Sequence, residues 1–209
     1  MSNKLKKQPT CSSKGGKWDE KKDSRRFYDT TAASYEELYG KEQENKYKIA
    51  LKTAEAAPLG TVLDVGCGTV TFLQKIIGVS SLRVGIDLSS KMLSNETEIY
   101  VPSTHLLCAD ADYLPIRDGI FDSVFAFTLL QNMPNPRSTF LEMFRVLRRN
   151  GIIIATWPIG SNLMSEARQW FKDSGISFRE VEEQTLLKDH VFICRKERDI
   201  LANNEPKPF

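Results

Sequence analysis

Short apolar runs alternate with amphipathic segments along most of the chain, and this alternation predicts an α/β fold. Seven runs have the character of strands, at 61–65, 82–86, 104–107, 122–127, 152–157, 177–183 and 191–196. The run at 122–127 is almost continuously apolar, as expected in a parallel sheet that helices cover on both faces. The last two runs are expected to form an antiparallel hairpin. The pattern therefore predicts a doubly wound, seven-stranded, mostly parallel sheet with helices on both faces and an antiparallel carboxyl-terminal end.

The most informative stretch of the chain is TVLDVGCGTVT at 61–71. An apolar strand delivers Asp64, the glycines Gly66 and Gly68 follow, and an amphipathic helix begins directly afterwards. Glycines without a Cβ atom let a ligand lie against the backbone, and the first turn of a helix offers unpaired N–H groups. Asp87 ends the next strand, about 20 residues downstream, where an acid binds ribose hydroxyls in nucleotide-binding βαβ units. These features indicate a ligand with an adenosyl group.

Two features disfavour a dinucleotide as that ligand. The acid at Asp64 would repel a pyrophosphate, whereas it suits a ligand that carries an ammonium group. The glycine pattern also departs from GxGxxG, because Thr71 stands at the third glycine position. An NAD(P)-dependent reductase is therefore a disfavoured function.

The segment from Asp64 to Thr69, followed by Asp87, resembles motif I and the subsequent acid of class I S-adenosylmethionine-dependent methyltransferases. The resemblance is to the ubiquinone/menaquinone-biosynthesis-like, type 11 group. It continues through 108–115, 121–124 and 145–151, and it extends over residues 28–195. It implies S-adenosylmethionine as the cofactor and methyl transfer as the reaction. One residue departs from the family pattern: Val70 stands where a third glycine is usual, and its β-branched side chain is expected to crowd the loop.

The resemblance also implies the residues of the site. The implied cofactor-binding residues are Asp64, Gly66, Cys67, Gly68, Asp87, Leu88, Asp110, Ala111 and Thr128. Asp110 would accept a hydrogen bond from the adenine amino group, and the Ala111 N–H would bind a ring nitrogen. Gln131 and Asn132, after the fourth strand, are expected to face the substrate.

An amino-terminal helical lid over the cofactor is implied as well, with Tyr28 and Tyr35 as its candidate residues. No catalytic residue is assigned. Amides such as Gln131 and Asn132 do not take up a proton at neutral pH. If the acceptor requires a base, the candidates near the crevice are Tyr28, Asp29 and Tyr35.

Charge is nearly balanced over the whole chain, with a formal net charge of +2, so composition alone does not indicate a polyanion-binding protein. The first segment is basic and has few apolar residues. Residues 1–26 are expected to form a flexible basic tail, with an arm that approaches RNA as the alternative. Residues 27–197 are expected to form one methyltransferase domain, and residues 198–209 a loose carboxyl-terminal tail.

The cysteines Cys11, Cys67, Cys108 and Cys194 have neither CxxC spacing nor nearby histidines, so no metal site and no disulfide framework is expected. We expect buried, reduced thiols. No apolar segment reaches the length of about 20 residues that crosses a bilayer, and the polar amino terminus does not resemble a signal peptide. A cytoplasmic protein without a membrane partner is expected.

The leading functional hypothesis is a methyltransferase that acts on a small metabolite, or on RNA or another translation component. The alternative is a catalytically inactive S-adenosylmethionine-binding scaffold that acts as a partner subunit, a hypothesis motivated by Val70 and by the missing base. Some relatives work with a small zinc-binding activator beside the third strand, so the resemblance implies such a partner too.

Overall fold

One seven-stranded sheet forms the centre of the protein. The computed structural model describes residues 16–54, 59–94, 103–160, 163–173, 176–181 and 189–197. The strands are Thr61–Val65 (β1), Leu82–Asp87 (β2), Thr104–Cys108 (β3), Phe121–Phe127 (β4), Leu147–Pro158 (β5), Phe178–Glu180 (β6) and Asp189–Arg195 (β7). Their order is β3-β2-β1-β4-β5-β7-β6. Strands β1 to β5 pair in parallel, and β7 is antiparallel to β5 and β6. The predicted seven-stranded architecture is confirmed.

Helices cover both faces of this sheet. They are Lys17–Thr31 (α1), Tyr35–Ala54 (α2), Thr71–Lys75 (α3), Ser90–Ser94 (α4), Pro136–Val146 (α5) and Leu163–Asp173 (α6). Side chains alternate between the two faces along each strand. On β4, Val124 belongs to the apolar cluster that includes Phe144 of α5, whereas Phe125 belongs to the cluster that includes Tyr47 of α2. Two apolar layers therefore fix the sheet and leave the carboxyl ends of its parallel strands open to a ligand.

Two boundaries differ from the sequence-based expectation. The apolar spacing of residues 138–149 predicts an amphipathic helix over that range, but helix α5 ends at Val146 and Leu147 already pairs with Phe121 in the sheet. Periodicity alone could not separate a helix end from a strand that follows without a loop. Arg148 and Arg149 consequently lie on β5 rather than on a helix.

The amino-terminal boundary is the second difference. The expected flexible tail over 1–26 is wrong for residues 17–26, because they belong to helix α1. The physical reason is a long-range ion pair, in which the ammonium group of Lys21 is buried against Asp110. The two residues are far apart in the chain, so no local sequence pattern reveals this contact. Residues 1–15 and the expected carboxyl-terminal tail, 198–209, lie outside the described residues.

The thiols are only partly as expected. Cys67 and Cys194 are buried and free, but Cys108 is exposed, because it lies at the end of the edge strand β3. Cys11 lies outside the described residues. Across the described ranges, no group of three or more histidine, cysteine, aspartate or glutamate side chains is placed to hold a metal ion. None of the described helices has the length and apolar character needed to cross a membrane.

Candidate cofactor site

The turn after β1 contains glycines, so its backbone is accessible at the carboxyl ends of the parallel strands. Gly66 and Gly68 have φ values of 75° and 54°, in the left-handed region that glycine adopts without strain. The N–H groups of Gly66 and Cys67 donate to the Ile86 carbonyl at 2.7 and 3.0 Å, which ties the turn to β2. A Cβ atom on Gly66 would lie 3.0 Å from Leu129 Cδ1. Both backbone angle and space therefore require glycine here.

Asp87 is held at the end of β2 by backbone donors on both sides. Its Oδ2 accepts from the Gly68 N–H at 3.0 Å, and its Oδ1 accepts from the Ser89 N–H at 2.8 Å. Burial raises the pKa of Asp87, and the hydrogen bonds from the Ser89 and Gly68 amides counteract that rise in part. A carboxylate has about four acceptor positions. The carboxylate therefore keeps free lone pairs, which suit the two hydroxyls of a ribose.

Asp64 lies on β1, in the middle of the sheet, and one of its carboxylate oxygens accepts no hydrogen bond from the described residues. Its relative exposure is 1%, and within the described residues its Oδ1 has no hydrogen-bond partner. Burial raises the pKa of Asp64 well above its usual value, and the negative charge of Asp87 raises it further. An ammonium group bound at the glycine turn would favour the ionised carboxylate. The orphaned acceptor therefore fits a cationic ligand and does not fit a phosphate.

A pocket lies where these groups meet. The predicted cofactor residues that line it are Gly66, Gly68, Asp87, Leu88, Asp110, Ala111 and Thr128. Asp64 and Cys67 are not lining residues; both are buried behind the pocket wall. Tyr28, Tyr35 and Asn132 also line the pocket, whereas Asp29 and Gln131 do not. The structure thus gathers most of the predicted residues around one cavity.

Helix α1 forms a wall of the same pocket; a helical lid with Tyr28 was expected, but sequence reasoning missed the part of the helix before Tyr28. Lys21, Ser24, Arg25 and Tyr28 line the cavity and follow the spacing of one helix face. That spacing is present in the sequence. It was missed because a segment so rich in charge was interpreted as a solvated tail.

The two lid tyrosines are neutral phenols. Asn132 Nδ2 donates to the Tyr28 hydroxyl at 2.9 Å, and Gln43 Nε2 lies 3.4 Å from the Tyr35 hydroxyl. Burial raises the pKa of both phenols far above the usual value. A phenol with a raised pKa holds its proton, so neither tyrosine suits the role of general base.

Asp29, the third candidate base, is engaged outside the pocket. Its Oδ1 accepts from the Ser89 hydroxyl at 2.5 Å, and its Oδ2 lies 3.6 Å from Arg25 Nε. The same Ser89 hydroxyl accepts from the Met92 N–H at 3.1 Å and caps helix α4. Asp29 therefore joins α1 to the turn after β2, and the geometry does not direct its carboxylate at a substrate.

Thr128 is fixed at the end of β4 by a buried polar network. It has a φ of 56°, its N–H donates to Thr156 Oγ1 at 3.0 Å, and its hydroxyl accepts from Lys46 Nζ at 2.8 Å. Lys46 is itself buried and lies 2.7 Å from Asp189 Oδ2, as an ion pair rather than a directed hydrogen bond. No local pattern along the chain indicates this network, because Lys46 and Asp189 are far apart in the chain. It joins α2, β4 and β7 behind the pocket wall.

Val70 does not crowd the pocket. Its φ is 68°, which is strained for a β-branched residue, and its side chain is buried in the apolar cluster with Phe72 and Tyr47. It is not a lining residue. The expectation that this side chain would obstruct the loop is therefore not supported by the geometry.

Comparison with known proteins shows which proteins this chain resembles. Residues 63–155 match the family model described as a methyltransferase domain. A malonyl-[acyl-carrier protein] O-methyltransferase of Marinomonas sp. (strain MWYL1) is 29% identical over 136 residues, which cover 61% of this chain and 48% of that protein. A demethylmenaquinone methyltransferase of Desulfitobacterium hafniense (strain Y51) is 31% identical over 116 residues, 52% of this chain and 46% of the relative. Residues 63–155 are thus similar to the methyltransferase domain of these proteins. The chain spans about half the length of these curated relatives.

Solved structures share the fold of this methyltransferase domain. A complex between the Haloferax volcanii Trm112 methyltransferase activator and a methyltransferase matches with a TM-score of 0.71 at 16% identity, covering 84% of this chain and 99% of that chain. The complex of DhpI with S-adenosylhomocysteine matches with a TM-score of 0.71 at 14% identity, and the match covers 85% of this chain and 97% of the DhpI chain. At these identities the likeness concerns the fold.

Replacing Asp64 with Asn is expected to stabilise the methyltransferase domain in the absence of ligand. Because the folded-state pKa of Asp64 is raised, its contribution to stability is present at low pH and is lost as pH rises through that pKa. The Asn variant should therefore melt at a higher temperature than the wild type at about pH 8, by about 2–4 °C for each kcal/mol, and the gap should close near pH 4. Thermal unfolding at both pH values measures this.

The matched control for Asp64→Asn is Asp173→Asn, an exposed carboxyl of α6 that should show no such pH-dependent gain. A lower melting temperature of Asp64→Asn at both pH values would mean that the carboxylate is stabilised by a partner in the free protein.

Replacing Val70 with Gly is expected to leave the affinity for S-adenosylhomocysteine within about twofold of wild type, because the side chain does not reach the pocket. Glycine removes about 1–2 kcal/mol of left-handed strain but loses about 1.5–3 kcal/mol of apolar burial, so stability should fall slightly. Val70→Ala keeps the strain and loses most of the burial, so it should be the less stable variant in chemical denaturation. A clear gain in affinity for Val70→Gly would show that the valine does constrain the loop.

Proposed function

We propose that the protein transfers a methyl group from S-adenosylmethionine to an acceptor, and that Asp87 is the main anchor of the cofactor. The observation that carries the proposal is the Asp87 carboxylate, fixed by the Gly68 and Ser89 amides with lone pairs left for ribose hydroxyls. Asp110 and the Ala111 N–H would hold the adenine edge. The glycine turn would hold the amino-acid part, with Asp64 compensating its ammonium group.

The protein's part in the reaction is alignment and exclusion of water. Bound S-adenosylmethionine supplies a methyl group on a sulfonium, whose leaving thioether is neutral and needs no acid. Tyr28, Tyr35 and Thr128 line the pocket and are held by Asn132, Gln43 and Lys46, so the cavity is shaped before a substrate enters. Such preorganisation favours an in-line arrangement of nucleophile, methyl carbon and sulfur.

We propose further that the acceptor atom needs no base from Tyr28, Asp29 or Tyr35. The two phenols keep their protons, and Asp29 is engaged with Ser89 and Arg25. A nucleophile that carries an available lone pair at neutral pH, such as a carboxylate, a thiolate or a neutral amine, fits this lining. The name of the malonyl-[acyl-carrier protein] O-methyltransferase relative, which specifies an oxygen acceptor, agrees with one of these classes.

Binding of a small activator protein is a second proposal, and the edge strand β3 supports it. β3 pairs only with β2 among the described strands, and Leu106 and Leu107 on it are 40% and 39% exposed. An unpaired strand edge with apolar side chains is a template for another chain. The Haloferax volcanii neighbour is a complex with the Trm112 methyltransferase activator, so we propose a small activator of that kind at this edge.

An RNA contact through the basic amino-terminal segment has less support. Lys21, Lys22 and Arg26 each lie within ion-pair distance of a carboxylate, of Asp110, Asp19 and Asp23 respectively. These cations are therefore partly neutralised within the folded protein. The proposal of an RNA acceptor rests on residues 1–15, which lie outside the described residues.

Replacing Asp87 with Ala should weaken S-adenosylhomocysteine binding at least about tenfold, because charge-assisted hydrogen bonds of about 1.5–3 kcal/mol are lost. Calorimetric titration measures the affinity. Asp87→Asn keeps the side-chain size and one acceptor oxygen, and it should bind with intermediate affinity. Asp118→Ala, a change at an exposed carboxyl outside the pocket, should bind like the wild type. Equal affinities for Asp87→Ala and wild type would remove Asp87 from the site.

Activity is tested with S-adenosylmethionine carrying a labelled methyl group and fractionated cell extract as the source of acceptor. Label should enter a product with the wild type and not with Asp87→Ala. Transfer that occurs only after a Trm112-type protein is added would support the proposal of a small activator protein. Binding without transfer under either condition would support the inactive scaffold.

A further inference from the structure

Lys21 of helix α1 is buried, and it forms an ion pair with Asp110, the carboxylate that is expected to recognise adenine. Lys21 Nζ is 2.7 Å from both oxygens of Asp110 and 2.6 Å from Asp112 Oδ2, and the residue is 6% exposed. Asp110 lines the pocket, whereas Asp112 does not. One ammonium group thus joins α1 to both acids of the loop after β3.

The charges explain why this contact holds. The side chains of Asp110 and Asp112 are mostly buried, and two such carboxylates close together repel each other without a cation. Burial works against the charge of Lys21, yet the hydrogen bonds that Lys21 donates to Asp110 and Asp112 outweigh it and raise the pKa of the ammonium group. The described residues hold Asp112 from its other side through the Thr139 hydroxyl. The three side chains therefore form one ion-paired unit.

Lys21 leaves room for an adenine on Asp110. The Asp110 carboxylate accepts from Lys21 on both oxygens and from the Asp112 N–H on Oδ1 at 3.0 Å. About four acceptor positions exist on a carboxylate, so one remains for the amino group of a base. The lysine also restricts the rotation of the carboxylate, which fixes the direction of the remaining lone pair.

The same helix is fastened at a second place. Tyr28, two turns after Lys21 on the same face, accepts from Asn132, and the adjacent Asp29 accepts from Ser89. Helix α1 is therefore tied at the Asp110 end by Lys21 and near the end of β4 by Tyr28. A ligand that fills the pocket would lie beneath a helix held at both places.

We infer that Lys21 is a positioning residue of the cofactor site, which holds α1 over the pocket and orients Asp110 toward the adenine amino group. This inference rests on the proposed function. The lid and the adenine-binding carboxylate then act as one unit. Loss of the lysine should loosen both, so S-adenosylhomocysteine should leave faster as well as bind more weakly.

The test compares Lys21→Met with Lys22→Met in the full chain. Lys21→Met should bind S-adenosylhomocysteine about tenfold more weakly, mainly through faster dissociation. Lys21→Arg should recover part of the affinity. Lys22→Met removes a neighbouring, half-exposed lysine that pairs with Asp19, and it should bind like the wild type.

Limited trypsin digestion gives a readout that affinity alone does not. S-adenosylhomocysteine should protect the bonds after Arg25 and Arg26 in the wild type and in Lys22→Met, and should fail to protect them in Lys21→Met at saturating ligand. Asp112→Asn weakens the ion-paired unit at a residue outside the pocket. Like Lys21→Met, this variant should bind S-adenosylhomocysteine more weakly and should show less protection from trypsin. That variant also serves if Lys21→Met does not fold.

The outcomes separate the two proposals. If the wild type does not bind S-adenosylhomocysteine, the proposed function fails and this inference fails with it. If the wild type binds but Lys21→Met and Asp112→Asn keep full affinity and full protection, only the role of Lys21 is overturned. Tighter binding by Lys21→Met would also overturn it, because the lysine would then compete with adenine for Asp110.

Discussion

Two carboxylates on adjacent parallel strands, Asp64 and Asp87, set the requirements for the rest of the site. Asp64 is buried behind the wall of the pocket that Asp87 lines, and burial raises the pKa of each, with the negative charge of Asp87 raising that of Asp64 further. Asp87 is stabilised by amides of the Gly68 turn and of Ser89, whereas Asp64 keeps an orphaned oxygen. A ligand that brings hydroxyls to Asp87 and a cation to Asp64 would offset the free-energy cost of holding each carboxylate in its charged form away from water. S-adenosylmethionine has these groups in one molecule.

The elements around the acids hold the pocket wall by polar contacts as well as by the apolar layers on the sheet. Helix α1 is tied through Lys21 to Asp110 and through Tyr28 to Asn132. Helix α2 reaches the wall through Lys46, which binds Thr128. Removal of one partner of a buried ion pair costs about 3–5 kcal/mol, so such contacts hold a helix firmly in one position. These ties together hold the wall of the pocket in place.

The sequence predicted the parts of this arrangement that depend on local spacing. The turn at Gly66 and Gly68 and the acid at Asp87 were predictable, because a strand, a glycine turn and a second strand form a contiguous βαβ unit. The position of the first part of helix α1 was not predictable, because it depends on the contact of Lys21 with Asp110, a residue from a distant part of the chain. The contact of Lys46 with Asp189 is equally non-local. Polar, long-range pairs leave no periodicity in a single sequence.

Calorimetric titration of the intact chain with S-adenosylhomocysteine, repeated at about pH 6 in buffers of different ionisation enthalpy, tests the central claim most directly. The ligand's ammonium group should favour the ionised form of Asp64, whose pKa is raised in the free protein, so binding should release protons into the buffer. The account predicts one ligand per chain, net proton release, and a smaller release for Asp64→Asn. Absence of binding, or a binding enthalpy that is the same in every buffer for the wild type, would contradict it.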